Sequence, residues 1–207
     1  MSIQNMNLKR DFSIVNGGHI LYFYTNPLSY VENLLAYIAD GLKLGHYVVV
    51  IDEAAVYEVV QERLLSKYSK EELQGVFFEE YGAFYGIQTD FNGHKVADEF
   101  SKLYRSLPEA NRTVQTWARV GWREEPEITS KLEQHEKDSD CIVKAYRMIS
   151  VCAYDSMKAP ADLLIRLLKN HQYFMTDNEL VMSPLYDKEN IFPSLSTQSK
   201  IVGNRLL

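Results

Sequence analysis

The sequence predicts an α/β fold, in which a mostly parallel sheet carries helices on both faces. The prediction starts from residues 19–53, where two apolar runs flank a segment with helical periodicity. Parallel strands need such a crossover, and strands that are apolar on both faces belong to a sheet that is covered on both sides. Short apolar runs alternate with helical patterns along the rest of the chain, so we expect three layers.

Composition agrees with one domain of ordinary globular character. The chain has 207 residues, of which 46% are hydrophobic, enough to fill one sizeable core. Its net charge of −6 argues against direct binding of nucleic acid, which requires clustered lysine and arginine. No apolar run approaches the roughly 20 residues that span a bilayer, and the first residues lack a signal-peptide core. We therefore expect a cytoplasmic protein without a membrane contact.

The first βαβ unit has the clearest local signals. Residues 20–24 and 47–51 are predicted strands, and the helix between them carries an apolar stripe. Ser29 and Glu32 form a capping box at the predicted start of this helix. The turn before it has the sequence TNPLS and lies where a phosphate-binding loop would sit, but it contains neither glycine nor lysine. We therefore do not expect phosphate binding of the P-loop type.

The remaining elements follow from the same two periodicities. Further strands are predicted at 76–80, 114–120 and 146–154, with a C-terminal β-hairpin at 173–175 and 180–182. Helices are predicted at 54–68 and 95–107 and after Pro160. A highly charged helix after Pro126 has only a thin apolar stripe, so we expect it to be superficial. The chain divides into an arm (1–16), one domain (17–186) and a tail (187–207).

A candidate ligand site follows from the strand ends. Ligands of open α/β sheets bind beyond the carboxyl ends of the strands. The side chains expected there are Tyr24, Asn26, Tyr30, Asp52, Glu53, Glu80, Tyr81, Arg119, Trp122 and Asp155. Carboxylates outnumber the single arginine, so this rim would repel a bare phosphate and favour a cation or a hydrogen-bond donor. Its aromatic rings would attract an organic cation by about 0.5–2 kcal/mol per contact.

Several of these residues also have purely structural interpretations. Asp52 stands between a strand and a helix, where an N-cap explains an acid equally well. Arg119 would need a carboxylate partner if buried, and Asp155 or Glu80 could supply one. Trp117 fits core packing better than a ligand platform, because large aromatic side chains dominate core burial.

No metal or cofactor is expected from the spacing of ligand-type residues. The five histidines never stand three or four residues apart, and the two cysteines form no Cys-x-x-Cys motif. His19, at the start of the first strand, is interpreted as a structural histidine. His171 follows a helical segment, whose C-terminus would stabilise an imidazolium. Cys152 lies within an apolar strand and is interpreted as an inert core residue.

Three segments together carry a family resemblance. They read HILYFYTNPLSYVENLLAYIADGLKLGHYVVVIDE, SVCAYD and LLKNHQYFMTDNELVMSPLY, and in this order they resemble the MEDS domain, the sensory domain of methanogen and methylotroph regulators of the dichloromethane-response type. The resemblance covers roughly residues 17–186. It implies a RecA/KaiC-like fold and the sensing of small molecules rather than ATP turnover. KaiC-like ATPases would carry a Walker A loop near Thr25 to Ser29 and an acidic pair near Asp52 and Glu53; this chain keeps the acids and lacks the loop.

Three functions remain open at this point. The first is a non-catalytic sensory domain that binds a small molecule at the strand ends and signals through a regulatory protein partner. The second is a nucleotide-dependent enzyme that holds magnesium and ATP through Asp52, Glu53 and Asp155. The third is an interaction module, in which the charged helix around 128–138 and the tail residues Ile191, Phe192 and Pro193 mediate association, including self-association.

Overall fold

A single twisted sheet forms the centre of the fold. The computed structural model describes residues 6–7, 17–108 and 112–186. A two-residue strand and seven longer ones make up the sheet: β1 (Met6–Asn7), β2 (Gly18–Tyr24), β3 (Tyr47–Asp52), β4 (Val76–Glu80), β5 (Val114–Arg119), β6 (Ile149–Asp155), β7 (Tyr173–Met175) and β8 (Glu179–Met182). Their order across the sheet is β1-β8-β7-β2-β6-β5-β3-β4. Strands β7 and β2 to β6 run parallel, whereas β8 is antiparallel to β7 and to β1.

Six α-helices are described, in addition to a short 3₁₀ turn at Glu72–Gly75. They are α1 (Pro27–Lys43), α2 (Ala54–Leu65), α3 (Tyr81–Tyr85), α4 (Gly93–Ser106), α5 (Ile128–Tyr146) and α6 (Ala161–Asn170). Helices α1 and α2 share one apolar core with one face of the sheet, whereas α3 to α6 share a second core with the other face. The predicted α/β fold with helices on both faces and a C-terminal hairpin is therefore confirmed.

Helix α1 begins one turn earlier than its predicted capping box. Its N-cap is Asn26, whose Oδ1 accepts hydrogen bonds from the backbone amides of Leu28 and Ser29 at 2.8 and 3.2 Å. The prediction that Ser29 caps the helix is therefore wrong. Pro27 explains the difference, because proline at the first helical position has its φ already set and lacks the amide that a cap would have to satisfy.

The prediction that the charged helix is superficial is also wrong. Helix α5 has 19 residues and buries its whole inner side against α4, α6 and β2. The buried side chains include two acids and a histidine as well as apolar residues: Ile128, Leu132, His135, Glu136, Asp140 and Val143. The two acids are contacted by polar side chains of the surrounding chain: the Tyr154 hydroxyl donates to Glu136 and the Tyr186 hydroxyl to Asp140. Apolar spacing alone therefore underestimates the buried width of this helix. Because α5 continues to Tyr146, the next strand begins at Ile149 rather than at 146.

Two predicted segments lie mostly outside the described residues. They are the arm at 1–16, apart from β1, and the tail at 187–207 with its Ile191, Phe192 and Pro193 cluster. Within the described ranges, no helix is both long and apolar enough to cross a bilayer.

Candidate functional site

A crevice opens at the carboxyl ends of the central strands. Its volume is about 310 Å³. Six residues of the predicted site line it: Tyr24, Glu53, Tyr81, Arg119, Trp122 and Asp155. We call this space the strand-end crevice. The rule that ligand sites of α/β sheets lie beyond the strand ends therefore selected side chains that the fold does bring together.

Arg119 lies at the inner wall of the strand-end crevice and is held by oxygen atoms. Its Nε donates to Oδ1 of Asp52 at 2.7 Å, and its Nη1 donates to the Tyr24 hydroxyl at 3.1 Å and to Oε1 of Glu53 at 3.4 Å. The guanidinium also stands 4.8 Å from the centre of the Tyr30 ring. The arginine is therefore a fixed part of the wall, and its charge is largely neutralised by acids of the chain.

The expected partners of Arg119 were wrong. The sequence suggested Asp155 or Glu80, whereas the structure gives Asp52 and Glu53. Strand order explains the difference. Strands β3 and β5 are neighbours, and Ile51 pairs with Ala118, so the residues that follow them stand side by side.

Asp52 connects the strand-end crevice to the core behind it. This carboxylate is completely buried, and its Oδ2 accepts a hydrogen bond from the Tyr30 hydroxyl at 2.5 Å. The Tyr30 hydroxyl in turn accepts from Nε1 of Trp117 at 2.8 Å. The interpretation of Asp52 as the N-cap of α2 is wrong, because Glu53 occupies that position without a side-chain cap. The interpretation of Trp117 as a core residue is confirmed, since it is fully buried.

Burial dominates the protonation of this wall. It raises the pKa of the Asp52 carboxyl, although Arg119 and the Tyr30 hydroxyl favour the charged form. It also raises the pKa of the Tyr24 and Tyr81 hydroxyls, so both tyrosines are neutral hydrogen-bonding groups at pH 7.

Three other predicted residues do not line the strand-end crevice. Asn26 caps α1, and Tyr30 lies behind Arg119. Glu80 caps α3, where its Oε2 accepts from the amide of Ala83 at 2.8 Å. Each therefore shapes the site from behind or beside it.

Sequence reasoning missed three lining residues: Val120, Glu124 and Lys158. They lie within five residues of the end of β5 or β6, so a wider window at the strand ends would have included them. Gly121 also lines the strand-end crevice. Gly121 is needed for space, because a Cβ there would lie 2.9 Å from Cδ2 of Tyr81. The crevice lining thus has three carboxylates and two cations. The carboxylates belong to Glu53, Glu124 and Asp155, and the cations to Arg119 and Lys158.

The turn before α1 is closed by an acid from the C-terminal hairpin. Oδ2 of Asp177 accepts hydrogen bonds from the backbone amides of Thr25 and Asn26 at 3.1 and 3.0 Å and from the Thr25 hydroxyl at 2.5 Å. Its Oδ1 accepts from the Tyr22 hydroxyl at 2.8 Å. This carboxylate occupies the amides that a phosphate would need in a P-loop protein.

A second group of polar side chains is buried on the face of the sheet that carries α5 and α6. His19, Glu136, Cys152 and His171 each place one ligand-type atom within 4.8 Å of all the others. We call this group the buried cluster. Cys152 also lines a smaller cavity of about 100 Å³ between the sheet, α4 and α5.

The buried cluster could not be found from sequence spacing. Its members come from β2, α5, β6 and the residue after α6, and His19 and Cys152 are 133 residues apart. His171 follows the last residue of α6, as predicted, and its Nδ1 donates to the carbonyl oxygen of Leu167 at 2.8 Å. Burial and the neighbouring His19 lower its pKa, which opposes the stabilisation of an imidazolium by the helix C-terminus.

Comparison with known families identifies the chain. The family model described as "MEDS: MEthanogen/methylotroph, DcmR Sensory domain" matches residues 18–172. The match runs from β2 to the residues after α6, so it includes all lining residues of the strand-end crevice and all of the buried cluster. No curated protein matches the chain. With more than two thirds of its length matched by that family model, the chain belongs to the MEDS family of sensory domains.

Proposed function

We propose that this MEDS domain senses a small organic molecule that carries a cationic or hydrogen-bond-donating group, and that the strand-end crevice binds it. One observation carries the proposal: the strand-end crevice combines the rings of Tyr24, Tyr81 and Trp122 with the carboxylates of Glu53 and Asp155. Binding sites for small molecules are typically concave, with apolar or aromatic walls and a few polar groups that orient the ligand.

The charges of the strand-end crevice favour a ligand with a cationic or hydrogen-bond-donating group over an anionic ligand. Arg119 is already paired with Asp52 and Glu53, so its cation is not free to bind an acidic ligand. Among the remaining lining residues, Glu124 and Asp155 outnumber Lys158. An organic cation would gain the attraction of two carboxylates and about 0.5–2 kcal/mol for each aromatic face that it contacts.

The volume of the strand-end crevice favours a small ligand. At about 310 Å³ it lies at the lower end of the range of roughly 300–1,000 Å³ that is usual for small-molecule sites. A nucleoside triphosphate would extend beyond it toward the turn at Thr25 and Asn26. There the amides from Thr25 to Tyr30 that carry a hydrogen all have acceptors within the chain, mainly Asp177 and Asn26. The nucleotide-dependent alternative is therefore not favoured.

The output of such a sensor is proposed to be a change in contact with a regulatory protein. The net charge of −6 offers no general attraction for nucleic acid. The crevice wall includes α3, a five-residue helix at the outer edge of the sheet, and the turn around Lys158. Ala83 of α3 and Lys158 are exposed, so a partner could contact the wall at these two positions.

Amide NMR of the isotope-labelled chain tests the ligand class. Small alkylammonium ions and matched neutral alcohols should be titrated into the wild type and into Asp155→Asn and Trp122→Ala variants. We expect alkylammonium ions to shift amide resonances around the strand-end crevice, with about 10-fold weaker binding in each variant, equivalent to about 1.4 kcal/mol.

The matched control is Glu58→Gln, which neutralises an exposed carboxylate on α2 outside the strand-end crevice. Its affinity should equal that of the wild type. Shifts that are absent for every ligand, or equal in the wild type and the Asp155→Asn variant, would contradict the proposal.

A further inference from the structure

We propose that the buried cluster of His19, Glu136, Cys152 and His171 is a binding site for a divalent transition-metal ion, with Zn²⁺ as the ion that best suits its donor atoms. The inference is independent of the proposed ligand in the strand-end crevice. Zn²⁺ is bound in proteins by thiolate, imidazole and carboxylate groups, usually four in a tetrahedral arrangement. The buried cluster offers one thiol, one carboxylate and two imidazoles.

The distances within the buried cluster match this arrangement. Nε2 of His19 lies 3.2 Å from Sγ of Cys152 and 3.4 Å from Oε2 of Glu136, and Nε2 of His171 lies 3.4 Å from the same Oε2. Tetrahedral Zn²⁺ with bonds of about 2.0–2.3 Å requires ligand atoms to stand roughly 3.3–3.8 Å apart. The other ligand atoms lie within 4.8 Å of one another, and the His19 and His171 rings are stacked with their centres 3.8 Å apart. A closed four-ligand site therefore requires the two rings to turn apart so that both Nε2 atoms face the ion.

The ligand atoms are also oriented from outside. Nδ1 of His171 donates to the carbonyl of Leu167, and Nδ1 of His19 lies 3.2 Å from the carbonyl oxygen of Asn170. Both rings are thereby anchored through Nδ1 to the last turn of α6, and each directs Nε2 toward the centre of the buried cluster. Backbone anchoring of one ring nitrogen is how proteins orient histidine ligands and fix their tautomer.

Glu136 is oriented in the same way. Its Oε1 accepts a hydrogen bond from the Tyr154 hydroxyl at 2.5 Å, which leaves Oε2 directed at the two histidines. Metal-binding carboxylates are typically held by such an outer hydrogen bond. The Tyr154 ring stands 5.5 Å from the ring of Trp122, so the same tyrosine contacts a wall residue of the strand-end crevice.

Two atoms of the buried cluster lack a hydrogen-bond partner within the described part of the chain. They are Nε2 of His171 and Oε2 of Glu136, and both side chains are fully buried. Leaving a buried polar atom unsatisfied costs about 1–3 kcal/mol. An ion that accepts a lone pair from each of these two atoms would remove that cost. A metal ion at their common focus satisfies both at once.

The charge of the site also balances. One thiolate, one carboxylate and two neutral imidazoles neutralise a divalent cation, which is necessary where all four side chains are buried. Burial raises the pKa of the Cys152 thiol to about 11, so the metal-free thiol is protonated. Loading therefore breaks the S–H bond, forms an S–metal bond and releases the thiol proton to solvent, together with any proton on His19.

The competing occupant is a proton. Without a metal, an imidazolium at His19 can pair with the Glu136 carboxylate, an arrangement that also neutralises the site. Metal titration separates the two, because Co²⁺ in place of Zn²⁺ gives a thiolate-to-metal absorption band only when a cysteine binds it.

The experiment uses the full chain, stripped with a chelator and titrated with Co²⁺ and then with Zn²⁺. We expect about one ion per chain, a thiolate-to-cobalt band, and loss of that band as Zn²⁺ displaces Co²⁺. Cys141→Ser, at the half-buried second cysteine, should keep the band and thereby assign it to Cys152. This assignment does not depend on whether a Cys152 variant folds.

Variants of the ligands provide the second readout. Cys152→Ser and His171→Gln, checked for folding by circular dichroism, should bind Zn²⁺ about 100-fold or more weakly than the wild type. His94→Gln replaces a histidine outside the buried cluster and should leave the affinity unchanged. A wild type without a thiolate band, or a band that Cys141→Ser removes, would overturn the proposal and leave the proton as the occupant.

Discussion

At the level of single residues, the ion pair of Arg119 and Asp52 holds the inner wall of the strand-end crevice in place. Asp52 is fully buried, and the Arg119 side chain is 15% exposed. Two charges removed from water to this degree are retained only when each compensates the other. The pair therefore fixes the crevice wall, and loss of either partner should be costly.

Arg119→Met should destabilise the fold by about 3–5 kcal/mol, because it leaves the Asp52 carboxylate buried without its countercharge. The double variant Asp52→Asn/Arg119→Met should be more stable than Arg119→Met alone, since the uncompensated charge is gone while the Tyr30 hydroxyl keeps an acceptor. Urea unfolding measures both free energies.

The matched control is the exposed pair of Arg63 and Glu32, whose side chains are 41% and 55% exposed. Arg63→Met should cost less than about 1 kcal/mol. Equal losses at Arg63 and Arg119 would show that Asp52 is not a buried charge.

The pH dependence of stability adds a second check. Because the pKa of Asp52 is raised in the folded state, its contribution is complete below its ordinary pKa of 3.8 and is lost as pH rises through the raised pKa. Removal of Arg119 raises this pKa further, so Arg119→Met should lose more stability at about pH 8 than at about pH 5.

The residues around the strand-end crevice show how far sequence reasoning reaches at this scale. Strand-end positions such as Trp122 and Asp155 could be predicted, because the chain emerges there from a buried strand. The partner of Arg119 could not, because it depends on β5 lying beside β3, and the sequence does not reveal strand order. The buried cluster was beyond reach for the same reason: His19 and Glu136 meet only through tertiary packing.

At the scale of elements, the C-terminal hairpin acts as a brace on the first βαβ unit. Strands β7 and β8 hold Asp177 in the turn between them, where its carboxylate binds the end of β2 and the turn before α1. The hairpin thereby occupies the backbone amides at the end of β2, which would otherwise be open to an anion.

Asp177→Ala should destabilise the chain by about 1–3 kcal/mol, because four hydrogen bonds to its carboxylate are lost together. Glu179→Ala removes an exposed acid from the same hairpin and should change the free energy of unfolding by no more than about 0.5 kcal/mol. Guanidinium unfolding of the three proteins gives the comparison. Equal stability of Asp177→Ala and the wild type would show that the hairpin does not brace the turn.

The elements themselves were largely predictable, and their ends were less so. Periodicity located the strands and most of the helices because apolar burial sets both patterns. The start of α1 was misplaced since two caps, Asn26 and Ser29, compete within four residues, and Pro27 decides between them. The depth of α5 was misjudged because its buried acids belong to a polar cluster that no local pattern reveals.

At the scale of the whole molecule, the sheet separates two places where chemistry is concentrated. The strand-end crevice lies beyond the carboxyl ends of the strands, and the buried cluster lies on the face covered by α5 and α6. Tyr154 contacts both, through the Glu136 carboxylate and the Trp122 ring. We therefore expect an ion in the buried cluster to stiffen one wall of the strand-end crevice.

We propose that this α/β scaffold binds small organic molecules with a cationic or hydrogen-bond-donating group and does not bind a nucleoside triphosphate. Thermal unfolding of the chain, with an alkylammonium ion or with magnesium and ATP at equal ionic strength, distinguishes the two kinds of ligand. An alkylammonium ion at ten times its Kd should raise Tm by about 3–6 °C in the wild type and by far less in the Trp122→Ala variant, whereas magnesium and ATP should leave Tm unchanged. A rise in Tm with magnesium and ATP, and none with any organic cation, would show that the chain binds a nucleotide and not an organic cation.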